Sequence, residues 1–452
     1  MVGNSRASGH VAYRRSAVCN PHGVVLLLSP YAPTIGLQSG QSQRPSEFMA
    51  LPRFRQPYRR ALHGIRNAPH VALALVLCAA ASFAAVLFQT NGLSGIPLTT
   101  EMHVENADWW PTKGAAPRKQ YAGSAACAQC HSAIASTYAT TPMAHAATPA
   151  AASQALQAHS DLSLQIGPFA EKFVTAQGSS VLTVSDANSS LSRTLGWAFG
   201  EGFMGQTYIY EDGGSFYEAH LSFFTSPQAL DITPGQFRSV PTDLGEAAGR
   251  RMNADEARRC FSCHTTASTV GNAFDPHDST PGVMCEACHG PGASHAVLMS
   301  MGTEAKGPTE IFNPGGLDPV DSVDFCGACH RTWQDVVMSG FVKTGVFNVR
   351  FAPYRLENSR CWGKGDARLT CLACHDPHKP LVTDAAAYDS ACLRCHILRG
   401  SRKIANHPGA ACPVATAKCV TCHMPKYEPP GLHYRFTDHW IRVVRPGKSY
   451  PS

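Results

Sequence analysis

The feature that most constrains this chain is a five-residue motif, Cys-x-x-Cys-His, which occurs seven times. In chain order the copies read CAQCH, CFSCH, CEACH, CGACH, CLACH, CLRCH and CVTCH. Two thiols three positions apart on a helical turn reach the two vinyl groups of one porphyrin, and the adjacent histidine can bind its iron. Zinc sites and disulfide scaffolds also use Cys-x-x-Cys pairs, but neither explains a histidine after every second cysteine. The motifs therefore predict seven covalently bound haem c groups.

We number the motifs one to seven in chain order. The cysteines predicted to attach haem are Cys127, Cys130, Cys260, Cys263, Cys285, Cys288, Cys326, Cys329, Cys371, Cys374, Cys392, Cys395, Cys419 and Cys422. The histidines predicted as the first iron ligands are His131, His264, His289, His330, His375, His396 and His423.

The spacing of the motifs bears directly on the fold. Motifs two to seven lie between Cys260 and His423, roughly 27 residues apiece, which is too short for each segment to enclose a core of its own. We therefore expect a mainly α and irregular fold packed around its haems. Asn253 with Glu256 predicts a helix over 254–264 that presents motif two, and Asp384 predicts a capped helix over 385–396.

The interval between motifs one and two has a different character. The segments 180–184, 206–210 and 215–224 are short β-prone runs bounded by Gly, Asp, Asn and Pro. They predict a small β-rich insert between haems one and two. Such an insert could pack beside the first haem or dock a partner, because loop-rich insertions often carry binding.

The N-terminal region carries the positive charge. Of the net charge of +6, the first hundred residues contribute nine arginines against the single acid Glu47, so the remainder is slightly acidic. That balance argues against a nucleic-acid partner, and haem propionates would add further negative charge. The arginines precede an apolar run over 71–88, which predicts an export signal or an uncleaved membrane anchor. Met49 is the better start, because a cleaner export signal follows it than follows Met1.

These observations divide the chain. We predict a non-native upstream extension at 1–48, an export signal or membrane anchor at 49–92, a linker at 93–120, a first haem module at 121–159, a β-rich insert at 160–245 and a six-haem domain at 246–447. Thioether attachment takes place outside the cytoplasm. The protein is therefore expected in the periplasm, with the inner membrane as a contact if the segment stays uncleaved.

The second axial ligand of each iron separates an electron carrier from a catalyst, because two strong ligands close the iron to substrate. His378 lies too close to His375 to reach the other face of the same iron, so it should bind a neighbouring haem. For haem one the choice is Met143 or His145. The other candidates are His277, His295, His407, His433 and His439, while His159 and His220 stay unassigned.

Four cysteines lie outside the motifs, and two of these, Cys361 and Cys412, belong to the exported part. In an oxidising compartment they predict a disulfide that joins the segments around haems five to seven.

The sequence resembles the multihaem cytochromes c related to the tetrahaem electron carriers of hydroxylamine oxidation, the cytochrome c-554-like proteins. The matching pieces are GSAACAQCH with TPMAHA, MGQTYIYEDG to DITPG, CEACHGPGASH, SRCW with LTCLACHDPH, and CVTCHMPKY with FTDHW. The resemblance implies an electron-transfer protein of the periplasm or cell surface, in which His295, His378 and His439 match distal ligand positions. The departure is the motif number, seven instead of four.

Three functions are compatible with this sequence. The first is a heptahaem electron carrier between a membrane or soluble donor and a terminal reductase, as in anaerobic respiration. The second is a multihaem oxidoreductase acting on a small nitrogen or sulfur compound at one open haem, although the Cys-x-x-Cys-Lys variant of several such enzymes is absent. The third, haems as structural staples of a binding module, does not explain why so many cofactors are needed.

Overall fold

The computed structural model describes residues 116–200, 202–236, 238–270, 273–302, 311–339, 345–359, 361–362, 369–396, 412 and 414–443. The predicted upstream extension, the export signal or anchor, most of the linker and His407 lie outside these ranges. All described residues belong to one compact unit, 91–452. Within the described ranges, none of the helices has the length and apolarity needed to cross a bilayer.

A ten-stranded antiparallel sheet fills the interval between motifs one and two. Its order is β10-β7-β6-β5-β4-β3-β2, with β1 paired to β5, β8 to β6 and β9 to β8. The strands are β1 Ala147–Pro149, β2 Asp161–Ile166, β3 Phe169–Ala176, β4 Ser179–Ser185, β5 Ser190–Phe199, β6 Gly205–Asp212, β7 Ser215–Ala219, β8 Leu221–Phe224, β9 Ala229–Ile232 and β10 Gly249–Arg251.

Alternation along the strands builds the core of this sheet. In β4, Ser180, Leu182 and Val184 are buried and their neighbours are half-buried, as expected for a strand with one face on a core. The same core takes Phe173 from β3 and Tyr208 from β6.

A bulge in β5 turns part of the strand towards motif two. The register with β6 shifts between Leu195 and Trp197. Leu195 packs in the sheet core, whereas Trp197 and Phe199 pack on the other side with Phe261 of the motif-two helix. One extra residue reverses the side-chain alternation. The bulge therefore gives the sheet a second apolar contact.

The rest of the described chain is short helices and loops. The helices are α1 Ser124–Cys130, α2 Ser132–Tyr138, α3 Gln154–Ala158, α4 Leu244–Ala248, α5 Ala254–His264, α6 Cys285–His289, α7 Ala293–Ser300, α8 Pro319–His330, α9 Trp333–Met338, α10 Ala352–Glu357, α11 Asp389–Leu393 and α12 Cys419–His423. Short 3-10 turns occupy Arg118–Gln120, Ala150–Ala152, Pro314–Gly316, Val346–Arg350, Cys371–Ala373 and Ala385–Tyr388. Two-residue strands pair as Thr265–Thr266 with Thr280–Pro281, Thr269–Val270 with Ala273–Phe274, and Lys426–Tyr427 with Phe436–Thr437.

The predicted β-rich insert is present, but it is larger than the predicted small subdomain, so the fold is mixed rather than mainly α. The run over 215–224 divides into two strands at His220. The helix over 254–264 is confirmed, with the Asn253 side chain accepting the Glu256 N–H at 2.8 Å. The helix predicted over 385–396 is instead a 3-10 turn capped by Asp384, followed by α11.

Candidate functional site

The motifs sit on short helical segments that end at or near their histidines. Motifs two, three, four and seven lie wholly within α5, α6, α8 and α12, and α1 ends at Cys130, directly before His131. In an α-helix, positions three apart share a face. The two thiols of each of these motifs therefore project together, with the histidine one position further along, as haem attachment needs.

Three motif histidines face a second histidine from a distant part of the chain. The ring centroids of His131 and His295 are 6.5 Å apart with 16° between the planes. His289 and His378 are 6.0 Å apart at 8°, and His375 and His439 are 6.2 Å apart at 44°. Two imidazoles that bind one metal from opposite sides have centroids roughly 6 Å apart, given metal–nitrogen bonds of about 2.0–2.1 Å. Each pair therefore leaves the space that one iron needs.

Hydrogen bonds to backbone carbonyls identify the proton-bearing nitrogen of four rings, of which His289 and His439 belong to these pairs. A carbonyl can only accept, so a ring nitrogen against a carbonyl carries the proton. The donors are Nδ1 of His264 to Ala146 at 2.8 Å, of His289 to Phe312 at 2.9 Å, of His423 to Arg442 at 2.9 Å and of His439 to Thr437 at 3.0 Å. This arrangement fixes the tautomer whose Nε2 lone pair is available to a metal. The donor set therefore fits haem iron.

Burial favours the neutral, metal-binding form of five of the candidate ligand rings. It lowers the pKa of His264, His289, His330 and His375 below the ordinary value. Burial, with a contribution from His375, lowers the pKa of His439 to about 4. Burial likewise raises the pKa of the motif thiols Cys260, Cys288 and Cys392 to about 12. Burial thus favours the uncharged form of these five imidazoles and three thiols.

Neighbouring motifs touch each other directly. Cys263 of motif two donates its thiol to the Ala328 carbonyl of motif four at 3.7 Å. Arg394 of motif six donates to the Ala373 carbonyl of motif five at 2.6 Å. The Asp389 carboxylate, on the helix of motif six, accepts the backbone N–H of Cys419 in motif seven at 2.8 Å. These contacts join motif two to motif four, and link motifs five, six and seven in series.

The structure separates the predicted distal ligands into two groups. His295, His378 and His439 each face a motif histidine, as described above. His378 faces His289 of motif three and not the adjacent His375, in keeping with the expectation that it serves a neighbouring haem. Coordination itself stays a prediction.

The other described candidates direct Nε2 elsewhere. His145 donates Nε2 to the Ala139 carbonyl at 2.8 Å, His277 places Nε2 2.9 Å from Glu211, and His433 places it 2.7 Å from Asp231. A nitrogen held by a carbonyl or a carboxylate is turned away from an iron.

For haem one, the structure places a different candidate next to the motif histidine, and the choice between Met143 and His145 stays a prediction. His295 lies opposite His131, whereas Met143 contributes its backbone carbonyl, which accepts from Val283 at 2.9 Å. His159 packs against Phe223, and His220 pairs with Glu171 inside the sheet core. His407 lies outside the described residues.

The predicted disulfide is not formed: Cys361 and Cys412, which are both described, are not joined in the structure.

Sequence reasoning missed three sets of side chains around the motifs. Phe199 lies parallel to the His264 ring, with centroids 4.8 Å apart and planes at 7°. Arg355 and Asp438 form a fully buried ion pair beside His439. Glu286, inside motif three, accepts backbone hydrogen bonds from other segments. Of these residues, only Glu286 could have been noticed in the sequence, because it is a charged residue between the two cysteines of a motif.

Comparison with known proteins supports the resemblance seen in the motifs. Residues 238–290, which include motifs two and three, match the family described as cytochrome c554 and c-prime. The crystal structure of the outer cell wall cytochrome OcwA matches with 17% identity and a TM-score of 0.27, covering 47% of this chain and 37% of that chain. This TM-score does not establish a common fold. No curated protein matches the sequence.

Proposed function

We propose that this chain, similar to the cytochrome c554 and c-prime family over residues 238–290, is a c-type cytochrome that carries electrons through seven covalently bound haems. The observation that carries the proposal is the set of three facing histidine pairs. Two imidazoles on one iron close it to substrate and favour electron transfer over catalysis. When bound, haem supplies the one-electron chemistry.

The chain's own residues provide the connection between the haems. His378 comes from the segment of motif five and faces His289 of motif three. Contacts between backbone and side chain join motif two to four, five to six and six to seven. Electron transfer between haems depends on their proximity, so a series of touching motifs suits a relay.

The place of this relay in the cell is part of the proposal. Haem attachment requires export, and residues 49–92 carry the positive and apolar regions of an export signal. We place the haem-bearing part in the periplasm, between a membrane or soluble electron donor and a terminal reductase. Redox proteins are then its partners, with the inner membrane as a further contact if the signal is uncleaved.

The decisive experiment changes one distal histidine and counts the bis-histidine signals. In the haem-loaded protein with His378→Met, we expect one bis-histidine signal to disappear from the electron paramagnetic resonance spectrum while mass spectrometry shows an unchanged number of haems. His433→Met is the matched control, because His433 contacts Asp231, and it should leave the spectrum unchanged. An unaltered His378→Met spectrum would overturn the ligand pairing.

The same spectrum of the unaltered protein tests the carrier against an enzyme. If all irons are low-spin and indifferent to added nitrite or hydroxylamine, the carrier stands. A high-spin signal that shifts on such an addition would favour a multihaem oxidoreductase with one open haem.

A further inference from the structure

The carboxylate of Glu286 connects three segments of the first and third motifs. Glu286 is the second residue of motif three, and only 4% of it is exposed. Its Oε1 accepts the Ala122 N–H at 2.7 Å and the Gly292 N–H at 2.8 Å. Its Oε2 accepts the Gly123 N–H at 2.8 Å. One buried side chain therefore accepts three backbone hydrogen bonds from two other segments.

The two glycines are the N-cap residues of the helices next to His131 and His295. Gly123 caps α1, which ends directly before His131, and Gly292 caps α7, which carries His295. Neither helix has a capping side chain of its own. A carboxylate that accepts an N-cap N–H normally comes from the third residue of the same helix, in a capping box. Here one carboxylate does this for two helices at once, and its negative charge suits both N-termini.

The surroundings leave Glu286 little freedom. A β-carbon at Gly292 would lie 3.4 Å from Glu286 Oε1, in ordinary van der Waals contact, so the carboxylate packs directly against the start of α7. Motif three is thus held against the segment that leads into motif one by this carboxylate.

We propose that Glu286 is a positioning residue that sets the alignment of His131 and His295 on either side of haem one. The inference rests on the proposed function, in which these two histidines bind one iron. Glu286 touches neither ring; it acts through the N-termini of the two helices that bear them. Without its three hydrogen bonds, α7 is no longer tied to α1, and His295 no longer faces His131.

The test is Glu286→Gln in the haem-loaded full chain. An amide retains one accepting oxygen but replaces the other with NH2, so at least one of the three N–H bonds is lost. We expect the reduced variant to bind one more carbon monoxide per molecule than the unaltered protein, and the oxidised variant to lose one low-spin signal. The matched control is Glu246→Gln. Glu246 accepts from Thr242 in a local cap of α4, within the insert.

A direct ligand variant separates the two levels of the proposal. If His295→Ala exposes no additional iron to carbon monoxide, the ligand pair of the proposed function is wrong. If His295→Ala exposes one but Glu286→Gln behaves like Glu246→Gln, the positioning role alone is wrong.

Should Glu286→Gln fail to acquire its haems, Glu286→Asp decides instead. It keeps the charge but is one methylene too short to reach both helices. Partial opening of one iron supports the role, and a fully closed spectrum overturns it.

Discussion

At the scale of single residues, the hydrogen bonds of each histidine ring determine which of its two nitrogens is available to an iron. Rings held through Nδ1 present Nε2 to an iron, whereas His145, His277 and His433 give Nε2 to a carbonyl or carboxylate. In the sequence, all of these are histidines near motifs. The distinction depends on contacts between residues far apart in the chain, and only the fold supplies them.

The Arg355–Asp438 pair is the strongest residue-scale element of stability beside His439. Both side chains are fully buried, with Nε 2.8 Å from Oδ1 and the second guanidinium nitrogen 2.9 Å from Oδ2. Arg442 also donates to Asp438 Oδ2, at 2.6 Å, so the carboxylate keeps one cationic partner when Arg355 is removed. We therefore expect Arg355→Met to lower the free energy of unfolding by about 1.5–3 kcal/mol, the loss typical of hydrogen bonds to a charged group, measured by urea denaturation.

Lys379→Met provides the comparison for this prediction. Lys379 pairs with Asp376 at 3.0 Å, but its side chain is 66% exposed. Its loss should cost less than about 1 kcal/mol, because water screens exposed pairs. If the two variants lost the same free energy of unfolding, burial would add nothing to the stabilisation by the Arg355–Asp438 pair.

At the scale of elements, a buried carboxyl on α8 and a half-buried one on α10 make stability depend on pH. Burial raises the pKa of Asp324 to about 7 and that of Glu357 to about 8, and the proximity of the two groups contributes to the shift of Glu357. A carboxyl whose pKa is raised by folding stabilises the protein while both states are protonated. This contribution declines above the ordinary pKa and is lost as pH rises through the folded value.

We therefore expect the free energy of unfolding to fall between about pH 4 and pH 8. Asp324→Asn keeps the shape but cannot ionise, so its stability should change less over this range. Urea denaturation of both proteins at several pH values checks this. A variant with the same pH profile as the unaltered protein would exclude Asp324 as the cause. Glu246→Gln, on the exposed side of the insert, controls for the loss of a carboxyl.

Helices and strands could be predicted from the sequence where a pattern of a few residues determines the structure of those same residues. Asn253 with Glu256 predicted α5, and β-prone runs predicted β4 and β6, because caps and alternation act within a few residues. The bulge in β5 was not predictable, since pairing with β6 and packing on motif two decide it. The break at His220, whose ring is buried against Glu171 of β3, depends on the fold in the same way. The motif residues could be read directly from the sequence and the resemblance named His295, His378 and His439, but the motif that each of these three faces is decided by the fold.

At the scale of the whole molecule, two regions obtain their cores differently. The sheet between β1 and β10 has a large cluster of buried apolar side chains, including Phe173, Leu182 and Tyr208. In the motif region the described clusters are small, such as Val336 with Phe351 and Tyr354. This contrast agrees with the expectation that porphyrins supply the missing core around the motifs. The insert, by comparison, packs through its own side chains.

This difference predicts how the chain behaves without haem. In protein produced without haem attachment, we expect limited proteolysis to cut first in the motif region and to leave a resistant fragment close to 147–251. Its sheet contains its own apolar core and its backbone is hydrogen-bonded, so opening it costs more than opening a motif segment. Mass spectrometry of the fragments against digestion time measures this order. In the haem-loaded protein the motif region should become resistant as well. If the insert were digested as early as the motifs in the haem-free chain, the sheet would depend on the haem region for its stability.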